Sequence, residues 1–235
     1  MSDSKAQKYR HLVSDRKNCF LCEDRLQNPA RIEGGIFDSN HVGPYSQWQG
    51  NLDAPLLLVA QDFSDVSGFR KYRGWAGSDI QTNVTLQGLL GHAGFDIAAP
   101  AHGLPDDKLF FTNAVLCMKS GAQGGRQQEI PSKCFTNCAS LLRRTVEIVA
   151  PRVVVTLGAH ALKAIRHAFP GGENDPLREV VGQPRPLTQG ILLVAVYHPS
   201  PTVVNTHRCI EKMREDWKVV GELCAPTSNR VARGV

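Results

Sequence analysis

Ile191-Leu-Leu-Val-Ala-Val196, then Tyr197 and His198-Pro199-Ser200-Pro201, is the stretch on which the fold turns. An unbroken apolar run closed by a proline-rich turn reads as a strand buried on both faces, the form strands take in parallel sheets. Two further runs end in the same way. Pro55-Leu-Leu-Leu-Val-Ala60 leads into Gln61-Asp62, and Leu109-Phe-Phe-Thr112 leads into Asn113. Val153-Val-Val-Thr-Leu157, set off by Pro151, reads as another strand. Ligands of open α/β sheets bind at the carboxyl ends of the strands. A carboxylate, an amide and an imidazole that each close their own strand therefore predict one shared crevice of catalytic character.

The segments between these runs carry helical spacing. Leu86, Leu89, Leu90 and Ala93 share a face over residues 82–93, as do Cys138, Leu141, Leu142, Thr145, Ile148 and Val149 over 136–149. Gly158 opens a short helix with Leu162, Ile165 and Phe169, and Ile210, Met213, Trp217 and Val220 mark a last helix at about 207–223. Buried strands alternating with amphipathic helices predict a parallel sheet covered on both faces. One domain is expected over residues 17–224, with loose, polar ends at 1–16 and 225–235. Long connections at 63–80, 98–107, 118–133 and 170–190 are candidate functional loops.

At 235 residues with 42% apolar content, the chain can bury an ample core. No apolar run approaches the ~20 residues of a membrane span, and the first ten residues lack the apolar stretch of a secretory signal. The reading is a cytoplasmic protein. The formal charge of +5 suits a polyanionic partner without demanding one. Lys119, Arg126, Lys133, Arg143 and Arg144 crowd one segment against only Glu129 and Glu147, either as a solvated face or as a phosphate-contacting one. No glycine-rich phosphate loop is present to support a nucleotide-binding reading.

Seven cysteines without a secretion signal favour metal or redox chemistry over disulfides. Cys19-Phe-Leu-Cys22 is a C-x-x-C pair, Cys117 follows the Asn113 strand, and Cys134 and Cys138 open the next helix. Four thiolates converging from separate segments suit a 4Fe-4S cluster, with tetrahedral zinc as the weaker alternative. Cys209 and Cys224 read as core or surface thiols.

Ala60-Gln61-Asp62, Thr112-Asn113-Ala-Val-Leu116 and His198-Pro-Ser-Pro201 together resemble the uracil-DNA glycosylase superfamily, and the cysteines resemble those of its iron–sulfur branch. The resemblance runs from the first cysteine pair to the histidine turn. It implies a three-layer α/β/α sandwich with a central four-stranded parallel sheet. It also implies cluster ligands at Cys19, Cys22, Cys117 and Cys138, with Cys134 the alternative to Cys138. The distance from Cys138 to Ala150-Pro151 matches the family pattern better.

The activity implied is hydrolysis of the N-glycosidic bond of deoxyuridine in DNA by a monomeric, monofunctional enzyme that starts base-excision repair. Its partner is uracil-containing DNA, single- or double-stranded, and no membrane. A base inside a duplex must first be flipped out. Bond cleavage then builds positive charge on the sugar and negative charge on uracil, which calls for a carboxylate and for hydrogen-bond donors at O2. Asp62 takes the first role and His198 the second. Asn113 reads the polar edge of uracil through an amide that is both donor and acceptor, with Gln61 beside it. Read singly, each has a plainer meaning, the Asp and Asn as turn or cap residues and the His as a structural one.

The first motif departs from the family. The most familiar branch has Gly-Gln-Asp-Pro-Tyr and the iron–sulfur branches Gly-Glu-x-Pro-Gly, whereas this chain has Ala60-Gln61-Asp62-Phe63-Ser64. The thymine-excluding tyrosine is missing. An aromatic ring to sandwich the flipped base is expected at Trp75, with Phe63 as runner-up, and either reads otherwise as core. In the turn after His198, Ser200, Pro201, Val203 and Val204 are expected to wedge into DNA, with His207 and Arg208 on phosphate. The valines alternatively start the last helix. Two rivals come from other classes, a uracil- or abasic-site-binding protein of poor turnover and an iron–sulfur redox protein.

Overall fold

The apolar runs fold as strands, and the segments between them supply the long crossovers that parallel pairing requires. The computed structural model describes residues 4–43, 51–75, 77–95, 108–121 and 128–225. In chain order come α1 (Lys5–Asn18), β1 (Leu26–Gln27), β2 (Leu56–Ala60), α2 (Val66–Lys71), α3 (Gln81–His92), β3 (Leu109–Asn113) and β4 (Met118–Lys119). They are followed by α4 (Ser132–Val149), β5 (Val153–Leu157), α5 (Ala159–Ala168), α6 (Leu177–Val180), β6 (Arg185–Thr188), β7 (Ile191–Val196), α7 (Pro201–Thr206) and α8 (Ile210–Cys224).

The main sheet has the order β3-β2-β5-β7-β6. Its first four strands are parallel, with Ala60 opposite Asn113, Leu57 opposite Val154, and Leu157 opposite Val196. Side chains alternate between two cores. Leu57, Val59, Phe110, Val154 and Leu193 pack with Leu12 of α1, Val146 of α4 and Ile165 of α5. Leu56, Leu58, Leu109, Val155 and Val194 pack with Leu89 of α3 and with Met213, Trp217 and Val220 of α8. Both faces are covered, which is why the strands are continuously apolar. This is the α/β/α sandwich.

The sheet has five strands, not the expected four. The fifth, β6, runs antiparallel to β7 and lies inside the stretch 170–190 read as a loop. It is an edge strand of Arg-Pro-Leu-Thr, alternately half-buried and exposed, with Pro186 at an irregular register. Such a strand needs no apolar run, and edges tolerate proline. The N-terminus also differs from expectation, because α1 occupies most of the segment 1–16 expected to be loose. Tyr9, Leu12, Val13 and Arg16 form its buried stripe, and the Ser4 hydroxyl caps it by accepting from the Gln7 N–H. Arg16 is pinned inside by Asp38, with its Nη1 2.7 and 2.9 Å from the carboxylate oxygens. The last helix is two helices, α7 and α8, parted at His207–Cys209. Residues 226–235 of the C-terminal tail and all of the loop 98–107 lie outside the described residues. Among those described, no helix is long and apolar enough to cross a membrane.

Candidate active site

Because β3, β2, β5 and β7 are parallel, Asn113, Asp62 and His198 all fall at one edge of the sheet. Asn113 is paired with Ala60, and the next two N–H groups, of Ala114 and Val115, donate to the Ala60 and Gln61 carbonyls at 2.8 and 3.0 Å. The asparagine is thereby locked beside the Gln61-Asp62 turn. It is buried, and its Oδ1 has no hydrogen-bond partner among the described residues. An orphaned buried acceptor costs about 1–3 kcal/mol, so its persistence at a strand end points to a ligand.

Asp62 is held by its own turn. The Ser64 N–H donates to Oδ1 at 2.8 Å and the Gln61 amide to Oδ2 at 2.9 Å. Ser64 sits at φ 79°, a left-handed conformation that glycine adopts freely and serine only at a cost. The Lys119 ammonium lies 3.1 Å from Oδ1, and both side chains are about nine-tenths buried. Lys119 is therefore neither a solvated nor a phosphate-facing residue.

His198 stands over the end of β5, the strand between β2 and β7. Gly158, at φ 91°, donates its N–H to the Val196 carbonyl, and a Cβ there would come within 3.4 Å of the His198 Cβ. Burial holds the imidazole below its usual pKa, opposed by the negative charge of Asp62.

The thiols also gather. Cys19 ends α1, and the buried Asn28 amide ties the carbonyls of Arg16, Lys17 and Cys19 together. Cys117 lies between β3 and β4, while Cys134 and Cys138 are buried on α4. Burial, and then the charges of Cys138, Cys22, Cys19 and Cys134, push the Cys117 thiol far up. Cys138 is pushed up to about 12 by burial, relieved by a Leu116 backbone hydrogen bond and reinforced by Cys22 and Cys19. Cys134 rises to about 12 through burial and a hydrogen bond to Cys22. The Asn137 amide reaches the Cys22 sulfur at 3.4 Å. Among the described residues, no three histidine, cysteine or carboxylate side chains close on a single metal-ion position. The set is a soft-donor neighbourhood whose members resist ionising together, and a cationic centre would relieve that resistance.

The remaining predicted residues are less uniform. Phe63 is core, buried at 3% exposure with its ring edge-to-face with Phe111. Trp75 is 46% exposed. Ser200 caps α7 with Pro201 in its first turn, so the valines do start a helix, a separate short one. Val203 and Val204 are half-buried against the α3/α8 core, which limits them as wedges. His207 is exposed. Arg208 is not free for phosphate, since it forms a two-pronged pair with Asp216 at 3.0 and 2.6 Å. The basic segment is similarly engaged. Lys133 pairs with Asp24, Arg144 with Asp15, and Arg143 binds the Ala168 carbonyl over the Phe169 ring. Arg126 lies outside the described residues. A hollow lined by Lys8, His11, Arg144, Glu147 and Ile148 contains none of the predicted site residues.

With this geometry in view, comparison with known proteins decides the family. The uracil DNA glycosylase superfamily matches residues 48–220. The chain belongs to that superfamily. It is 31% identical over 126 residues to the type-4 uracil-DNA glycosylase of Sulfurisphaera tokodaii, a match covering 52% of this chain and 53% of that one. It is 28% identical over 201 residues to the type-5 uracil-DNA glycosylase of Pyrobaculum aerophilum, covering 79% and 84%. The type-4 enzyme of Archaeoglobus fulgidus is 26% identical over 125 residues, and the chain spans 59% of it. The chain thus spans little more than half the length of the type-4 relatives. Within the superfamily frame, Ser64 occupies the last position of Gly-Glu-x-Pro-Gly, and its positive φ explains why glycine is used there. Sequence reasoning missed Lys119 and Gly158 as site residues. Gly158 carried a signal, as a glycine closing an apolar strand; Lys119 carried none.

Proposed function

We propose that this chain hydrolyses the N-glycosidic bond of deoxyuridine in DNA, releasing uracil and leaving an abasic site for base-excision repair. The observation that supports it is that Asp62, Asn113 and His198 all follow the carboxyl ends of strands in one parallel sheet, with the Asn113 amide oxygen buried and unpartnered among the described residues. Asp62 Oδ1 faces two partners and Oδ2 accepts only from Gln61, so Oδ2 retains a lone pair. That lone pair orients water toward C1′, while the carboxylate stabilises the cationic sugar. His198 donates to uracil O2 as the leaving base gains charge. Donation from a neutral imidazole leaves the Asp62 charge undiminished. Asn113 Oδ1 meets the N3–H of uracil, which cytosine lacks. Water is the nucleophile, and no strand break accompanies base release.

Cys19, Cys22, Cys117 and Cys138 fit a 4Fe-4S cluster by donor type, burial and mutual electrostatic contact. The family resemblance favours Cys138 as the fourth ligand, with Cys134, hydrogen-bonded to Cys22, as the alternative. When bound, the cluster supplies a crosslink between α1, α4 and the segment after β3, not a step in hydrolysis.

A uracil-containing oligonucleotide tests the reading, with hot alkali revealing abasic sites. Asp62→Asn and His198→Ala should each lower uracil release by about 10²-fold or more with DNA binding retained. Near-wild-type rates in both variants would overturn it.

A further inference from the structure

We propose that Lys119 is a positioning residue for the reaction, holding the Asp62 carboxylate in place and balancing its charge. The inference rests on Asp62 being the catalytic carboxylate. The backbone of Lys119 is fixed from two sides. In β4 it pairs with Leu26 of β1, so the ribbon ties it to the segment just after Cys19 and Cys22. Its N–H donates to the Ser64 carbonyl at 3.2 Å, and it bridges to Asp65. The ammonium is thus delivered to Asp62 by an anchored strand rather than by a free surface arm. At 8% exposure, Lys119 is, with Arg16, one of two buried cations among the described residues.

A carboxylate taken out of water needs compensation, and losing one partner of a buried pair is more damaging than losing both. Around Asp62, Gln61 and the Ser64 N–H are neutral donors, and Lys119 is the cation. Among the described residues, the other titratable groups named near it are His198, from the turn after β7, and Asp65, whose carboxylate accepts from the Gly68 N–H at the start of α2. Lys119 also settles which oxygen is free. With the ammonium and the Ser64 N–H both on Oδ1, Oδ2 is the one left with an open lone pair. An ammonium so near a developing sugar cation opposes that charge directly. Its benefit therefore passes through the carboxylate, which sets it apart from a lysine that grips DNA phosphate.

A double-mutant cycle separates the two. Single-turnover uracil release and DNA affinity are measured for Lys119→Met, Lys119→Arg, Asp62→Asn and the Lys119→Met/Asp62→Asn pair. Thermal melts report folding, and the pair, which removes both charges, provides a foldable reference. Lys119→Met should lower the maximal rate by roughly tenfold or more with KM little changed, the scale expected when a catalytic group is misplaced. Lys119→Arg should recover much of that loss. In the Asp62→Asn background, removing Lys119 should cost no further rate. A raised KM at unchanged maximal rate, or a further tenfold loss in that background, means that Lys119 acts on the DNA itself and overturns the inference. Wild-type activity in Asp62→Asn overturns instead the assignment of Asp62, a different failure.

Discussion

Asn113 keeps an amide oxygen buried where no group meets it, and few side chains give a clearer sign of a ligand. A shape-preserving apolar substitute should relieve the cost. Asn113→Leu is expected to raise stability by about 1 kcal/mol, or a melting shift of roughly 2–4 °C, while uracil release is lost. A variant less stable than wild type would show that the oxygen is satisfied after all. Ser64 is the second strained point. Ser64→Gly allows φ 79° without a Cβ and should stabilise by about 0.5–1 kcal/mol, read from denaturant midpoints. Asp62, Asn113 and His198 were legible because each closes an apolar run, where sheet geometry makes a polar residue conspicuous. Lys119 was not legible. Its strand is two residues long, and its partner lies far away in sequence, so no local period marks it.

At the scale of elements, α4 does two jobs with one period. Its apolar stripe, including Leu142, Val146 and Val149, covers the sheet, while Cys134, Asn137 and Cys138 present sulfur and amide to the C-x-x-C loop. Residues three and four apart share a helix face, so both cysteines reach the loop and spacing alone does not choose between them. Cys138→Ser should lose iron and the visible charge-transfer absorbance on purification, whereas Cys134→Ser should keep both, measured as iron per protein and by spectrum. Loss of iron in Cys134→Ser with retention in Cys138→Ser would reverse the ligand assignment. Strands β2, β3, β5 and β7 and the helices α3, α4, α5 and α8 were legible from apolar periodicity. Helix α1 escaped because its stripe of Tyr9, Leu12, Val13 and Arg16 is half polar, and a buried arginine is visible only once Asp38 is beside it. Strand β6 escaped because an edge strand need not be apolar.

Across the whole molecule, two half-buried imidazoles tie stability to pH. His198 is held below its ordinary pKa by burial, with Asp62 pulling the other way. His41, near the buried Arg16, is lowered by burial and then by that guanidinium. Both prefer to be neutral in the folded chain, whereas in the unfolded chain each takes a proton at about pH 6.5. The unfolded state therefore binds more protons below that pH, and stability rises with pH across the window. The stabilisation is fully present above about pH 6.5 and is lost as pH falls toward the depressed folded values. Melting temperature should thus drop between pH 7 and pH 5. His198→Gln and His41→Gln should each flatten the drop, and the double variant should flatten it most, because the two sites lie in separate parts of the fold and their effects add. His198→Gln should also leave the His41 share intact, which a general acid effect on surface carboxylates would not predict. If the double variant melts with the same pH slope as wild type, the imidazoles are not the sensors.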